Sequence, residues 1–130
     1  MDIGIKGSID RTVDRKDLAL HVGSGTVSVL ATPVMIAWIE GAAASSVQDL
    51  LPEGRTTVGT LMQVTHEAAT PEGMRVHVET ELTAVSENGR GLTFSVKAWD
   101  QAGLIGQGIH ERVIVDRDRF EKRALEKAGI

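Results

Sequence analysis

The stretch that decides the fold covers residues 22–48, VGSGTVSVLATPVMIAWIEGAAASSVQ. It carries a single formal charge, Glu40, in a chain in which 25% of all residues are charged. Burying an ionised carboxylate without partners costs several kcal/mol. Glu40 is therefore either turned toward water or retained inside the protein for a purpose.

The apolar part of this stretch predicts a helix over residues 33–50. Thr32 suits the N-cap, Pro33 suits the first helical position, and residues 51–54, LPEG, supply a stop. Apolar or small residues occupy almost every side of the helix, which is typical of a buried helix. Polar residues and Gly interrupt the run, whereas a membrane span needs roughly 20 predominantly apolar residues. A central helix wrapped by other elements is predicted, with no membrane partner.

Composition predicts a single domain over residues 1–130, long enough to bury about two thirds of its unfolded surface. The formal net charge is −4, from 14 Lys and Arg against 18 Asp and Glu, and no long basic block is present. A nucleic-acid partner is therefore not expected. The absence of cysteine excludes a disulfide framework and thiol catalysis. Because no signal-like segment precedes the first polar residues, a cytoplasmic protein is predicted.

The rest of the chain predicts an antiparallel sheet. Weak alternation indicates an edge strand over residues 3–14, followed by a short helical turn at residues 17–21. Further strands are predicted over residues 56–67, 74–85, 92–98 and 104–115, separated by turns that include Asn88-Gly89, a strong hairpin signal. A charged, exposed helix is predicted over residues 116–128.

A long helix without a polar face needs such a sheet to curl around it. We therefore predict an α+β hotdog fold, with an antiparallel sheet of about five strands wrapped around a long central helix. Because one sheet does not cover the helix completely, a homodimer that joins two sheets is expected.

Period-two alternation predicts which side chains face the core. In the first long strand it places Thr57 and Gly59 outward. The side chains predicted to face inward are Val58, Met62, Val64 and His66, then Met74, Val76, Val78, Thr80, Leu82 and Ala84, then Leu92, Phe94, Val96 and Ala98. His66 is thus expected to share an interior with Glu40.

A carboxylate and an imidazole in a shielded site are the usual parts of a general-base or nucleophilic hydrolase. Thr32 adds a hydroxyl at the helix start, where free backbone N–H groups favour developing negative charge. Thr32 and Glu40 lie about 12 Å apart along a helix at 1.5 Å per residue, so the two side chains do not touch on one straight helix. Structural interpretations stay open: a hydrogen-bonded core His66, a Glu40 partnered across the dimer, and a Thr32 that only caps the helix.

Other kinds of site find little support in the sequence. His66, His77 and His110 lie on separate strands without metal-ligand spacing, so no metal site is predicted. The Gly106-Gln107-Gly108 segment lacks the third glycine and the following helix of a dinucleotide fingerprint. The glycines of this strand instead indicate a bulge or the close approach of another backbone.

Three segments together resemble the fluoroacetyl-CoA thioesterase family of hotdog proteins, over roughly residues 26–120. They are Ala31-Thr32-Pro33 with Glu40 eight positions after the threonine, VGTLMQVTHEAATPEGMRVHVETEL (58–82) and GQGIHERVIVDRDRF (106–120). The block V-T-H-x-A-A-T-P is the most specific part of the likeness.

This resemblance implies an enzyme that hydrolyses an acyl-CoA thioester with a short or small acyl group. The family's catalytic set matches Thr32, Glu40 and His66: Glu40 would attack the carbonyl or activate water, His66 would move protons, and Thr32 would orient the carboxylate or the substrate. The resemblance also implies that Gly59 and Arg112 contact the substrate. Coenzyme A is part of the substrate, and no separate cofactor is implied.

One departure concerns the segment ahead of Thr32. The fluoroacetate-selective member of the family has phenylalanines there, whereas residues 22–31 contain no aromatic residue. Selectivity for fluoroacetyl-CoA is therefore not expected, and the acyl group stays open. Two other functions remain: a non-catalytic acyl-CoA binding or sensing protein, and a hotdog dehydratase, which usually pairs Asp with His on a helix that here has neither.

Overall fold

A computed structural model describes residues 1–129 of the chain. The elements, in chain order, are β1 (Lys6–Thr12), a 3-10 turn (Arg15–Asp17), α1 (Ala19–Val22), α2 (Thr32–Gln48), β2 (Arg55–Val64), β3 (Arg75–Val85), β4 (Gly91–Asp100), β5 (Gly103–Asp116) and α3 (Arg117–Lys127). All strand pairs are antiparallel, in the order β1-β3-β4-β5-β2, so β1 and β2 are the sheet edges. The predicted edge strand, hairpins and C-terminal helix are confirmed. No helix within residues 1–129 is long and apolar enough to cross a membrane.

The core lies between α2 and the curled sheet. Large apolar side chains there each stabilise the fold by about 1.5–3 kcal/mol when fully buried. From α2 the buried residues are Met35, Ile39, Ala42, Ala43 and Val47. From β3 and β4 they are Val76, Val78, Thr80, Leu82, Leu92, Phe94, Val96 and Ala98, all of which were predicted to face inward. The hotdog arrangement predicted from the sequence is present.

One side of α2 is not covered by the chain's own sheet. Pro33, Ala37, Gly41 and Ser45, which follow one another at a spacing of four residues, are exposed. A single chain therefore leaves this stripe of α2 uncovered, as expected for a helix that one five-stranded sheet does not cover completely. The helix also ends at Gln48, two residues before the predicted end.

Strand register shifts at three places in the sheet, and two of these β-bulges change which of the predicted side chains face the core. The register of β2 against β5 shifts between Gly59 and Leu61, and that of β3 against β4 shifts between Leu82 and Ala84. Since a bulge adds one residue to one strand, alternation reverses across it. Thr57 is consequently buried, contrary to the prediction.

The same effect corrects three further predictions. An added Cβ on Gly59 would point at the interior side chains of Glu40 and His110, so Gly59 faces inward and its neighbour Val58 outward. Ala84 is exposed rather than buried, and Val85 packs against the core in its place.

The chain immediately after β2 remains attached to β5. Thr65 N–H donates to Gln107 O at 2.9 Å, and Glu67 N–H donates to Ile105 O at 2.6 Å. Close approach requires glycine on β5, because a Cβ on Gly106 would collide with the Thr65 carbonyl oxygen. The predicted close backbone approach is confirmed. It also fixes His66, which lies just beyond the end of β2 rather than within the strand.

Candidate active site

A cleft of about 770 Å³ opens between the N-terminal half of α2, the segment before it and the segment after β2. It is lined by Thr32, Glu40 and His66, the three residues predicted to be catalytic, and by small apolar side chains that include Val27, Val29, Leu30 and Ile36. Two backbone hydrogen bonds fix the end of the segment before α2. Leu30 N–H donates to Thr70 O at 2.8 Å, and Ala31 N–H donates to Asp17 O at 2.9 Å. The predicted catalytic side chains therefore share one cavity.

Thr32 and His66 are hydrogen-bonded to each other. Thr32 Oγ1 lies 2.7 Å from His66 Nδ1. The prediction that Thr32 caps the helix is wrong: Ala31 is the N-cap, Thr32 is the first helical residue, and no side chain caps this end. The hydroxyl is instead directed to the imidazole, so this pair forms one unit of the site.

The start of α2 offers fewer free amides than the sequence indicated. Pro33 has no N–H, and the amides of Val34 and Met35 both donate to Ala31 O at 3.1 Å. Of the first three helical residues, only Thr32 therefore has an N–H that can face a substrate.

The environment of His66 favours its uncharged form. Burial lowers its pKa, because desolvation penalises the imidazolium. Its Nε2 is buried and has no hydrogen-bond partner in the described part of the chain. The other ring nitrogen, Nδ1, is the one that contacts the Thr32 hydroxyl.

Glu40 lies two turns further along α2, and its side chain is 43% exposed. The prediction of a carboxylate in a dry interior is therefore wrong for the single chain, since Glu40 lies beside the uncovered stripe of the helix. One carboxylate oxygen, Oε2, is 3.7 Å from Arg112 Nη1. Glu40 faces the cleft on one side and a buried cation on the other.

Arg112 is held rigidly beside Glu40 by two neighbours. Its Nε donates to Thr57 Oγ1 at 2.8 Å and its Nη2 donates to Thr57 O at 2.9 Å. Its Nη1 donates to His110 Nε2 at 3.2 Å. Burial lowers the pKa of Arg112 and the charge of Glu40 opposes that shift. The fixed guanidinium presents one edge to Glu40.

Sequence reasoning missed Thr57 and His110 as parts of this site. For Thr57 no signal existed, because the bulge in β2 is not visible in the residue pattern. For His110 a signal did exist: it lies two residues from Arg112 on β5 and shares its face. His110 Nδ1 donates to Leu61 O at 2.8 Å, which fixes the tautomer that accepts from Arg112.

Acidification is expected to destabilise the fold through His110. Burial, and then the charge of Arg112, lower its pKa, so the unfolded chain binds this proton more readily than the folded one. The free energy of unfolding therefore has its full value above pH about 6.5, the unfolded-state pKa. It decreases as the pH drops below that value toward the folded-state pKa. Urea unfolding at pH 7.5 and 5.5 measures the effect.

The control for this prediction is His110→Gln, which should reduce the pH dependence even if it lowers stability overall. The dependence that remains is assigned to His66, whose pKa burial also lowers. His77 acts in the opposite sense, because Glu79 and Asp10 raise its pKa. Its side chain is 38% exposed, so solvent screening keeps its contribution small. A wild-type protein equally stable at both pH values would contradict the assignment to His110.

Gly59 leaves room for the Glu40 carboxylate. A Cβ at this position would lie 2.7 Å from Glu40 Oε2 and 3.3 Å from His110 Cε1. Gly59→Ala is therefore expected to displace the carboxylate. For the thioester hydrolysis that the sequence resemblance implies, this should lower kcat by about 10-fold or more, since small misplacements of reacting groups are costly. Steady-state kinetics of thioester hydrolysis by the wild type and the variant measure this change in kcat.

A double-variant cycle gives the control. If Gly59→Ala acts by moving Glu40, adding it to Glu40→Gln should cost little more than Glu40→Gln alone. Additive losses would show that Gly59 acts by a different route.

Within residues 1–129, no group of three or more His, Asp or Glu side chains is placed to hold a metal ion.

Residues 13–118 match the family described as FlK, fluoroacetyl-CoA-specific thioesterase. The fluoroacetyl-CoA thioesterase of Streptantibioticus cattleyicolor is 37% identical over 99 residues, which are 76% of this chain and 70% of that protein. A solved structure of the fluoroacetyl-CoA thioesterase FlK superposes with a TM-score of 0.92 at 32% identity, covering 98% of this chain and 97% of that one.

A threonine-to-serine variant of FlK, solved in complex with acetyl-CoA, gives a TM-score of 0.92 at 31% identity, with 98% of each chain covered. A hot-dog-like protein from Thermanaerovibrio acidaminovorans gives 0.87 at 25% identity, covering 98% of this chain and 93% of that one. The likeness therefore extends over nearly the whole chain.

Proposed function

The chain belongs to the fluoroacetyl-CoA-specific thioesterase family, and we propose that it hydrolyses short or small acyl-CoA thioesters through Thr32, Glu40 and His66. It is a thioester hydrolase of hotdog fold that acts on acyl-CoA, and coenzyme A is part of its substrate. The assignment of these residues is supported by one observation: all three side chains line the same cleft. A cytoplasmic location is part of the proposal, and the absence of cysteine is compatible with it.

In the proposed mechanism the thioester carbonyl lies beside Gly59, within reach of Glu40. The Glu40 carboxylate either attacks the carbonyl carbon or takes a proton from the water that does. The C–S bond then breaks, and CoA leaves as a thiolate that takes a proton through His66. After direct attack, water hydrolyses the acyl–Glu40 anhydride to the free acid and the Glu40 carboxylate, and the proton released from that water replaces the one lost through His66. In the other route, the proton that Glu40 takes from water is the one that His66 passes to the sulfur. Thr32 holds the imidazole by the 2.7 Å contact, and its N–H is the amide available to the carbonyl oxygen as negative charge develops.

The acyl group is proposed to occupy the apolar part of the cleft. Val27, Val29, Leu30 and Ile36 line it, and they suit a small aliphatic group. Selectivity for fluoroacetyl-CoA is not proposed, because residues 22–31 contain no aromatic side chain.

Release of free CoA thiol over a panel of acyl-CoA thioesters tests the function. We expect turnover to be highest for short acyl groups and to fall as the chain lengthens. Measurable acyl-CoA binding without thiol release would overturn the proposal in favour of a binding or sensing protein.

We also propose a homodimer. Its support is the uncovered stripe of α2 at Pro33, Ala37, Gly41 and Ser45, together with the unpaired edge of β2, where Leu61 is 40% exposed. Light scattering on the purified protein tests this, and a monomer at micromolar concentration would contradict it.

A further inference from the structure

A second cleft, of about 330 Å³, lies where β2 begins and β5 ends, against α3. Four guanidinium groups and one carboxylate line it, so its lining is strongly positive in a chain of net charge −4. The residues that define this arginine cleft are Arg55, Arg90, Arg119 and Arg123, with Asp116 and Phe120.

The four arginines of the cleft lack ionic partners. Within residues 1–129, none of their guanidinium groups forms an ion pair or a side-chain hydrogen bond. The one carboxylate, Asp116, is engaged elsewhere: it accepts the backbone N–H of Arg119 at 3.0 Å as the N-cap of α3. Four neighbouring like charges repel one another, so the cluster favours a bound anion.

The shape and chemistry of the cleft fit a phosphorylated nucleotide. Guanidinium groups bind phosphate in a bidentate manner. Arg119 and Arg123 lie four residues apart on α3 and therefore share one face of the helix. Phe120, one of only two Phe in the chain, is 45% exposed at the same place and offers an aromatic surface on which a base can stack.

The position of the cleft relates it to the candidate active site. Arg55 lies on β2 four residues before Gly59, about 13 Å away at 3.3 Å per residue. The bulge comes after Gly59, so both residues belong to the same face of the strand. An extended pantetheine arm spans a separation of this size between a thioester and a nucleotide.

We propose that the arginine cleft binds the 3′-phospho-ADP end of the acyl-CoA substrate, with the phosphates on the arginines and the adenine against Phe120. This inference rests on the proposed function, because it takes acyl-CoA as the substrate.

Charge reversal of the cleft tests the proposal. The variant is Arg119→Glu/Arg123→Glu, and the control is Lys122→Glu/Lys127→Glu, which makes the same charge change on α3 at positions that do not line the cleft. Each protein is assayed with an acyl-CoA and with the same acyl group on N-acetylcysteamine, which has no nucleotide.

For the cleft variant, KM for acyl-CoA is expected to rise about 10-fold or more, since charge-assisted contacts to phosphate are lost. Its kcat, and all constants for the N-acetylcysteamine thioester, should stay near those of the wild type. An unchanged KM for acyl-CoA would overturn the proposal. So would equal losses on both thioesters, or an equal rise in KM in the control.

Calorimetric titration with 3′-phosphoadenosine 5′-phosphate separates this inference from the proposed function. Binding that the cleft variant abolishes would support the cleft even if the wild type released no thiol from any thioester. Absence of binding would overturn it, and so would equally tight binding of inorganic phosphate.

Discussion

Replacing Glu40 with glutamine is expected to lower kcat for thiol release by about 10³-fold or more. Glutamine keeps the size of the side chain, but it can neither attack the carbonyl nor accept a proton from water. Stability should change less than turnover, because glutamine keeps the size of the side chain and an oxygen acceptor, and the carboxylate oxygen is 3.7 Å from Arg112 Nη1, a long distance for an ion pair. Steady-state kinetics and thermal unfolding of the same preparations measure both quantities.

The matched control is Glu53→Gln, which makes the same change in the exposed turn after α2. The rival interpretation, in which Glu40 is a structural residue partnered across a dimer, predicts the reverse pattern: a large loss of stability with nearly normal turnover. That result would remove Glu40 from the mechanism.

A single turnover in ¹⁸O-labelled water separates the two routes open to Glu40. Label in the Glu40 side chain demonstrates direct attack, because water then opens the acyl–Glu40 anhydride at the Glu40 carbonyl, whereas activation of water never places ¹⁸O there.

Replacing His66 with alanine is expected to lower kcat by about 10²- to 10⁴-fold, the usual contribution of a positioned acid–base group. Because burial lowers the pKa of His66, the neutral imidazole persists below pH 6.5. In the wild type, kcat/KM should therefore hold as pH falls through 6.5 and decline only at lower pH. A pH profile of the wild type and the variant measures both effects.

Two further variants serve as controls for His66. Thr32→Ser keeps the hydroxyl that meets Nδ1 and should retain most of the activity, whereas Thr32→Val removes it and should lose part. His21→Ala changes an exposed histidine outside the cleft and should be neutral. Normal turnover by the His66→Ala variant would show that His66 is a structural core residue and not part of the mechanism.

Much of the fold is readable from local patterns. The near absence of charge between residues 22 and 48 indicates the central helix, Asn88-Gly89 indicates the hairpin, and strict alternation places Val76 to Leu82 on the correct face. In these places the local pattern and the tertiary structure agree, because one side of each element is simply buried.

The rest depends on pairing between distant segments. Thr57 and Gly59 face inward only because β2 gains one residue relative to β5, and no property of the residues themselves marks that step. The exposure of Glu40 depends on how far the sheet reaches around α2. His110 was considered only as a metal ligand, although its spacing from Arg112 placed both on one face.

The extra residue in β2 also sets a condition for comparing or redesigning this chain. With this extra residue, Gly59 on β2 and His66 just beyond the end of β2 both face α2, although they lie an odd number of positions apart. A sequence alignment or a designed replacement that treats residues 55–66 as a regular strand without a bulge will place either Gly59 or His66 on the face of the sheet that points away from α2. The number of residues between Gly59 and His66 must therefore be preserved, even at positions where the residue type can change.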